Sequence, residues 1–169
     1  GGTCLKVPLN SERASLIFFA FGSSGVEKLG ELNNRKTNLN SKTLTDAGIA
    51  IFRTNQLYVY INNSGVIKFP DHARHSGSHT HADLLSFVIT YNNIPFLIDP
   101  GSYVYTSEPE MRNKFRGTRM HNTVMIDDKD QHYLPHNDLF KTENISYPVK
   151  FDVEINRDKD VFWGSILLI

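Results

Sequence analysis

The chain has 169 residues, with eighteen Lys and Arg balanced by eighteen Asp and Glu, a size that suits one domain with a real core. Zero formal charge argues against the basic stripe that nucleic acid or an anionic membrane surface requires, and no apolar run approaches the roughly 18 residues needed to cross a bilayer. Hydrophobic residues at 40% and aromatics at 11%, with repeated Asn, Gly and Thr, favour strands joined by turns.

Taken in chain order, Leu16-Ile17-Phe18-Phe19-Ala20-Phe21 is an apolar run that suits a buried strand or a short helix. Residues 22–42 are rich in Gly, Ser and Asn and predict a loop with one helical turn over 26–32, the least ordered part of the chain. Residues 47–53 and 57–61 flank Thr54-Asn55-Gln56 as a hairpin, closed after its second strand by Asn62-Asn63-Ser64-Gly65. A loop carrying His72, His75, His79 and His81 follows. A second hairpin is predicted from residues 82–91, the turn Asn92-Asn93, and residues 94–98, stopped by Asp99-Pro100-Gly101 because Pro cannot donate to a ladder. Residues 107–120 form an excursion with a helix over 110–115. Residues 121–127 predict a strand, 128–137 a loop, and 151–155 with 161–168 a final hairpin. Cys4 has no partner for an intramolecular disulfide, and the Gly1-Gly2 start and apolar residues 165–169 suggest a piece of a longer protein.

Chemistry concentrates at Gly77-Ser78-His79-Thr80-His81-Ala82-Asp83. In an extended chain residues two apart share a face, so His79, His81 and Asp83 are expected to point the same way; the ordinary alternative is a polar strand entry at the surface. Asp99 suits either a ligand or a turn residue. His121 follows Arg112, Arg116 and Arg119, and guanidinium groups pair bidentately with carboxylate or sulfate, although a solvated loop has the same composition. A cupin-like site fails, since Leu85 and Ser86 stand where its Glu belongs. Two metal readings stay open on spacing alone: a non-haem iron set using His81 and Asp83 with His121, His132 or His136, and a zinc set of His81, Asp99 and His121, one from each of three strands.

Three longer stretches then align with a known family. They are His79-Thr80-His81-Ala82-Asp83-Leu84-Leu85-Ser86-Phe87, Asp99-Pro100-Gly101-Ser102-Tyr103-Val104-Tyr105, and Phe115-Arg116-Gly117-Thr118-Arg119-Met120-His121-Asn122-Thr123-Val124, followed by Asp130-Gln131 and preceded by Asp46-Ala47-Gly48. In this order the chain resembles the heparinase II/III-like polysaccharide lyases, including the related alginate and oligoalginate lyases.

The resemblance implies an all-β fold, an antiparallel β-sandwich of the supersandwich kind, belonging to a larger protein in which an N-terminal α-helical toroid precedes it. Residues 1–45 would be a partly irregular leader and residues 46–169 an incomplete sandwich. It implies zinc on His81, Asp99 and His121, His79 as the catalytic histidine, and an acidic polysaccharide or oligosaccharide substrate cleaved by β-elimination. Tyr105, Arg116 and Arg119 are expected to bind the uronate or a sulfate, and the location is periplasmic or secreted. The contrasting possibility is a non-catalytic sandwich that binds carbohydrate or folds around a structural metal.

Overall fold

The computed structural model describes residues 11–33, 40–64, 76–144 and 146–168; the expectations for Cys4, His72, His75 and Gly65 lie outside them. The chain divides into two units, Gly1–Asn40 and Ser41–Ile169. In the first, α1 spans Ser11–Asn33 and breaks at Gly22, whose φ of 69° and ψ of −166° are not helical. The predicted loop over residues 22–42 is therefore corrected in its first half. Val26, Leu29 and Leu32 recur at helical spacing, Lys28 pairs with Glu31 one turn on at 3.1 Å, and these local preferences outweigh the cost of Gly25 and Gly30.

The second unit is built from antiparallel strands. β1 (Lys42–Leu44), β2 (Ile49–Arg53) and β3 (Leu57–Asn62) lead to β4 (Ser76–Ser78), β5 (Ser86–Tyr91) and β6 (Ile94–Leu97). After α2 (Pro109–Phe115) come β7 (His132–Tyr133), β8 (Lys141–Asn144), β9 (Ser146–Ile155) and β10 (Asp160–Leu168). The main sheet runs β1-β2-β3-β5-β6, a three-stranded sheet runs β4-β8-β7, and β9 pairs with β10. This is the antiparallel β-sandwich architecture expected from the sequence.

Turn chemistry sets the main sheet. Gly48 has φ of 64° and sits so close to the Asn63 carbonyl that a Cβ there would fall 2.5 Å from its oxygen, so only glycine joins the 3-10 turn Thr45–Ala47 to β2 without strain. Asn92 and Asn93 both have positive φ, the conformation a two-residue hairpin turn requires. Two ladders shift register beside a proline: Pro95 precedes the skipped Phe96 in β6, and Pro148 precedes the skipped Val149 in β9. A residue without an N–H is accommodated where the ladder is already interrupted.

Ala50 faces Ile61 across β2 and β3, and Ile61 faces Phe87 across β3 and β5, so these side chains share one face of the sheet. The β9–β10 hairpin reaches the same region, with Asn63 Nδ2 donating to the Lys150 carbonyl at 3.0 Å and Gly164 lying against Leu85. Among the described residues the buried apolar side chains are few, Ala50, Ile61, Ala82 and Leu84, while Arg112, Arg116, Thr118, His121, Gln131 and His132 are buried polar groups. Hydrogen bonding therefore organises much of this interior. Phe87, Tyr91, Ile94, Phe96 and Ile98 remain exposed.

Candidate functional site

The loops that carry the motif residues are not strands. β5 begins only at Ser86, which corrects the strand expected over residues 82–91 and the shared face expected for His79, His81 and Asp83. His79 and Leu85 have φ of 63° and 62°, left-handed values that turn the chain twice within seven residues and cost energy in any residue but glycine. The three side chains diverge as a result. His79 packs on Phe140, with ring centroids 4.8 Å apart; His81 meets Ser102 Oγ at 3.3 Å; Asp83 accepts a hydrogen bond from Asn62 Nδ2 at 3.1 Å.

The strand expected over residues 121–127 is likewise a series of bends. Asn122 explains this: its Nδ2 donates to the carbonyls of Phe87 and Ile98, and its own carbonyl accepts from Phe87 N–H at 3.2 Å, so side chain and backbone together fasten the segment across β5 and the end of β6. Asp127 and Asp128, both at positive φ, then reverse the chain between the bridged residues Ile126 and Lys129.

These loops bring His81, Asp99 and His121 together, from loop positions rather than from three strands. Asp99 Oδ2 lies 2.5 Å from His121 Nδ1, with the His121 side chain fully enclosed and that of Asp99 33% exposed. The other Asp99 oxygen accepts the Gly101 N–H at 2.8 Å. The His81 and His121 rings stand 5.2 Å apart at 40°. Burial lowers the His81 pKa to about 4; neighbouring His121, Arg112 and Arg116 push the same way, and Asp99 opposes them. Burial raises the Asp83 pKa and Asp99 adds to the rise, against the influence of His121 and the Asn62 hydrogen bond. Asp83 thus answers to His121, Asp99 and Asn62.

As arranged, no three His, Cys, Asp or Glu side chains among the described residues form a group spaced to hold a metal ion; the Asp99 carboxylate engages His121 directly. The donor types nevertheless suit zinc, two imidazoles and a carboxylate. His121 Nε2 is buried with no hydrogen-bond partner among the described groups, an expensive state for a polar atom unless something meets it.

His79 stands beside this trio in sequence, on an aromatic surface. It is exposed, its N–H donates to the Phe140 carbonyl at 3.1 Å, and its ring stacks near Tyr105 at 6.2 Å. Tyr105 is 63% exposed. Beneath them lies Arg112, with its guanidinium 4.6 Å from the Phe140 centroid and 5.4 Å from that of Tyr105, donating to the Leu139 and Val104 carbonyls.

Arg116 is placed differently from its expected sugar-facing role. It is only 1% exposed and donates to Asn113 Oδ1 and to the carbonyls of Lys141, Pro135 and Asp138 at 2.7–3.0 Å. Four of the five guanidinium N–H donors are committed in this way, and from its buried position the group fastens the 135–141 segment. Arg119 is exposed and pairs with Asp128 at 2.9 Å.

The family model for heparinase II/III-like proteins, C-terminal, matches residues 36–165. The chain belongs to that family. Among solved structures, this heparinase II/III-like chain is similar to the heparan sulfate lyase HepC from Pedobacter heparinus, with TM-score 0.58 and 19% identity over 89% of this chain and 22% of that one. It is also similar to the heparinase III-BT4657 gene product, with TM-score 0.51 and 22% identity over 86% of this chain and 21% of the other. At these identities the likeness concerns the fold. The chain spans about a fifth of the length of these solved structures. No curated protein matches its sequence.

Several residues that shape this heparinase II/III-like site escaped sequence reasoning. Ser102 and Phe140 contact the two histidines, and the sequence marks Arg112 only as one of three arginines before His121. No local signal marks Phe140, because its partner His79 lies 61 positions away by the numbering.

Proposed function

We propose that this chain is the sandwich portion of a polysaccharide lyase that cleaves uronic-acid-containing glycans by β-elimination. The observation that carries the reading is the meeting of Asp99, His121 and His81 from three separate loops, with His79 of the same His-x-His motif exposed on the Tyr105–Phe140 surface. In the elimination a base removes the proton at C5 of the uronate, the electron pair forms the C4–C5 double bond, the bond from C4 to the glycosidic oxygen breaks, and that oxygen takes a proton.

His79 is the group of this chain assigned to that proton chemistry, since an imidazole exchanges protons near neutral pH. Tyr105, exposed on the same surface as His79, and Arg119 are assigned to the uronate or sulfate groups; Arg116 acts only through the segment it fastens. Zinc is assigned to His81, Asp99 and His121, where a fixed positive charge would favour developing negative charge on the substrate. His81, held neutral by burial, has a lone pair for such an ion at pH 7.

The remaining acid and carboxylate-neutralising groups are assigned to an α-helical toroid of the parent protein, and the location to the periplasm or outside the cell. The exposed Phe87, Tyr91, Ile94, Phe96 and Ile98 support a sandwich completed by further chain. Heparan sulfate is the first substrate to try, because the lyases of similar fold are named for it, and alginate the second.

The test follows the ultraviolet absorbance of the conjugated product when the longer protein containing this chain is given heparan sulfate, heparin or alginate. Turnover that falls by about 10²-fold or more in His79→Ala, the span a positioned acid or base contributes, supports the reading. Sugar binding with no turnover by the wild type would make it a carbohydrate-binding module instead.

A further inference from the structure

The His79, Tyr105 and Phe140 rings form a closed triangle. His79 lies 4.8 Å from Phe140 at 46° and 6.2 Å from Tyr105 at 25°, and Tyr105 lies 4.9 Å from Phe140 at 48°. Arg112, 3% exposed, faces two of these rings, its guanidinium 4.6 Å from the Phe140 centroid and 5.4 Å from that of Tyr105. The same guanidinium grips the backbone that carries them. Its Nε donates at 3.2 Å to the carbonyl of Leu139, the residue before Phe140, and its Nη1 donates at 3.1 Å to the carbonyl of Val104, the residue before Tyr105.

Neither ring stands on a strand: Tyr105 lies in the bends before α2, and Phe140 in the turn before β8. Arg112 itself projects from α2, where its N–H donates to the Glu108 carbonyl at 3.0 Å and its carbonyl accepts the Arg116 N–H at 3.1 Å. Among the described groups the His79 ring nitrogens meet no hydrogen-bond partner, so the orientation of that imidazole rests on Phe140 and Tyr105. On the lyase reading proposed above, we infer that Arg112 is a positioning residue for His79: it clamps the two rings on which the imidazole rests and so sets where that imidazole meets the sugar.

The chemistry of the guanidinium favours positioning over mere filling. It is planar and weakly hydrated, so its face stacks on aromatic rings while its edge donates to carbonyls. Among the described residues no carboxylate pairs with Arg112, and a buried charge is costly unless hydrogen bonds meet it. An apolar side chain would fill the same space without that cost, but it would let the rings slide, which directional bonds do not.

The experiment has two arms. On the 169-residue chain, histidine ring signals are recorded by proton–carbon NMR, with His79 assigned by its loss in His79→Ala; the neighbouring rings displace its signals from those of an exposed imidazole. On the longer protein containing this chain, kcat and KM are measured with heparan sulfate. Arg112→Lys keeps the charge and loses the planar fork, and Arg112→Met keeps a long stem and loses every donor. Ser146→Ala is the control, because the Ser146 hydroxyl donates to the Gln131 carbonyl at 2.7 Å and enters none of the ring contacts above.

The expected result is that the His79 signals of both Arg112 variants move toward the exposed-imidazole position. In the longer protein kcat should fall by about 10- to 100-fold, the range for a group displaced by about 1 Å, with KM held within about threefold. Added to His79→Ala, Arg112→Lys should cost no more than about a further twofold, because both act through one imidazole. Ser146→Ala should keep the signals and kcat. Unmoved His79 signals in a folded Arg112→Lys, an equal movement in Ser146→Ala, full additivity with His79→Ala, or failure of both Arg112 variants to fold would each overturn the inference. A wild-type longer protein without turnover would instead overturn the lyase reading, while the NMR arm still decides whether Arg112 holds His79 in place.

Discussion

Asp99 Oδ2 lies 2.5 Å from Nδ1 of His121, whose side chain is fully enclosed. In this heparinase II/III-like chain the contact joins the end of the β5–β6 hairpin to the loop after the 3-10 turn, so one carboxylate determines how a buried imidazole is oriented. Asp99→Ala would leave His121 Nδ1 without its partner while Nε2 already lacks one. The metal-free protein should lose about 1–3 kcal/mol, the cost of an unsatisfied buried polar group, measured as a lower denaturation midpoint at unchanged slope. Asp99→Asn, which keeps an oxygen acceptor, should lose less.

Acid should unfold the protein through buried histidines. Burial lowers the His132 pKa to about 4 from the ordinary 6.5, and the side chain meets Ser146 Oγ at 3.3 Å. The unfolded chain takes up this proton first, so the contribution is complete above about pH 6.5 and is lost as pH falls toward 4. For His132, 4% exposed, the loss is on the order of 3 kcal/mol. His81 shifts in the same direction. A stability titration from pH 8 to pH 4 should fall through this window, and His132→Gln should flatten it; an unchanged slope in that variant would count against the argument.

The two arginines on either side of Gly117 should respond very differently to substitution. Arg116→Lys leaves the carbonyls of Pro135, Asp138 and Lys141 competing for one ammonium, at about 1–3 kcal/mol for each group left short, so a total near 3 kcal/mol is expected. Arg119→Ala removes a pair with Asp128 whose side chains are 70% and 83% exposed, and exposed pairs contribute about 0–1 kcal/mol. Paired urea curves distinguish them. If Arg119 contacts a uronate or sulfate, its substitution should instead weaken glycan binding.

The difference between those arginines was not visible in the sequence, where both precede His121 in one polar run. Beyond the local bond to Asn113, the carbonyls that enclose Arg116 come from residues 19–25 positions later, a non-local fact that composition does not carry. Local signals fared better. The β2–β3 and β5–β6 hairpins follow from alternating apolar residues and from Asn92-Asn93, and α2 matches the helix expected over residues 110–115, with Pro109 at its first turn.

Two stretches misled the reading for physical reasons. Val124 and Ile126 alternate like a strand, yet Asn122 binds the segment crosswise and both apolar side chains stay exposed. Glycine and serine suggested a loop after Phe21, whereas the described residues continue as helix to Asn33, broken at Gly22. Within the site, the motif order named the residues that meet, Asp99, His121 and His81. The strand periodicity applied to His79, His81 and Asp83 failed because left-handed turns at His79 and Leu85 interrupt it.

The isolated chain should bind acidic glycan weakly and not turn it over. Elimination needs base, acid and carboxylate neutralisation around one sugar, and separated groups forfeit most of the gain from positioning. Incubation of the 169-residue chain with heparan sulfate and alginate should give no rise in product absorbance. Turnover that disappears in His79→Ala would reveal an acid within the sandwich, with Tyr105 the first residue to substitute.

Zinc stoichiometry and affinity, measured on the purified chain and its His121→Ala, His81→Ala and Asp83→Ala variants, test the proposed zinc assignment most directly. The expected result is one zinc per wild-type chain, lost in His121→Ala and His81→Ala and kept in Asp83→Ala, whose carboxylate is turned to Asn62. Absence of zinc uptake by the folded wild type, or loss in Asp83→Ala with retention in His121→Ala, would contradict the assignment.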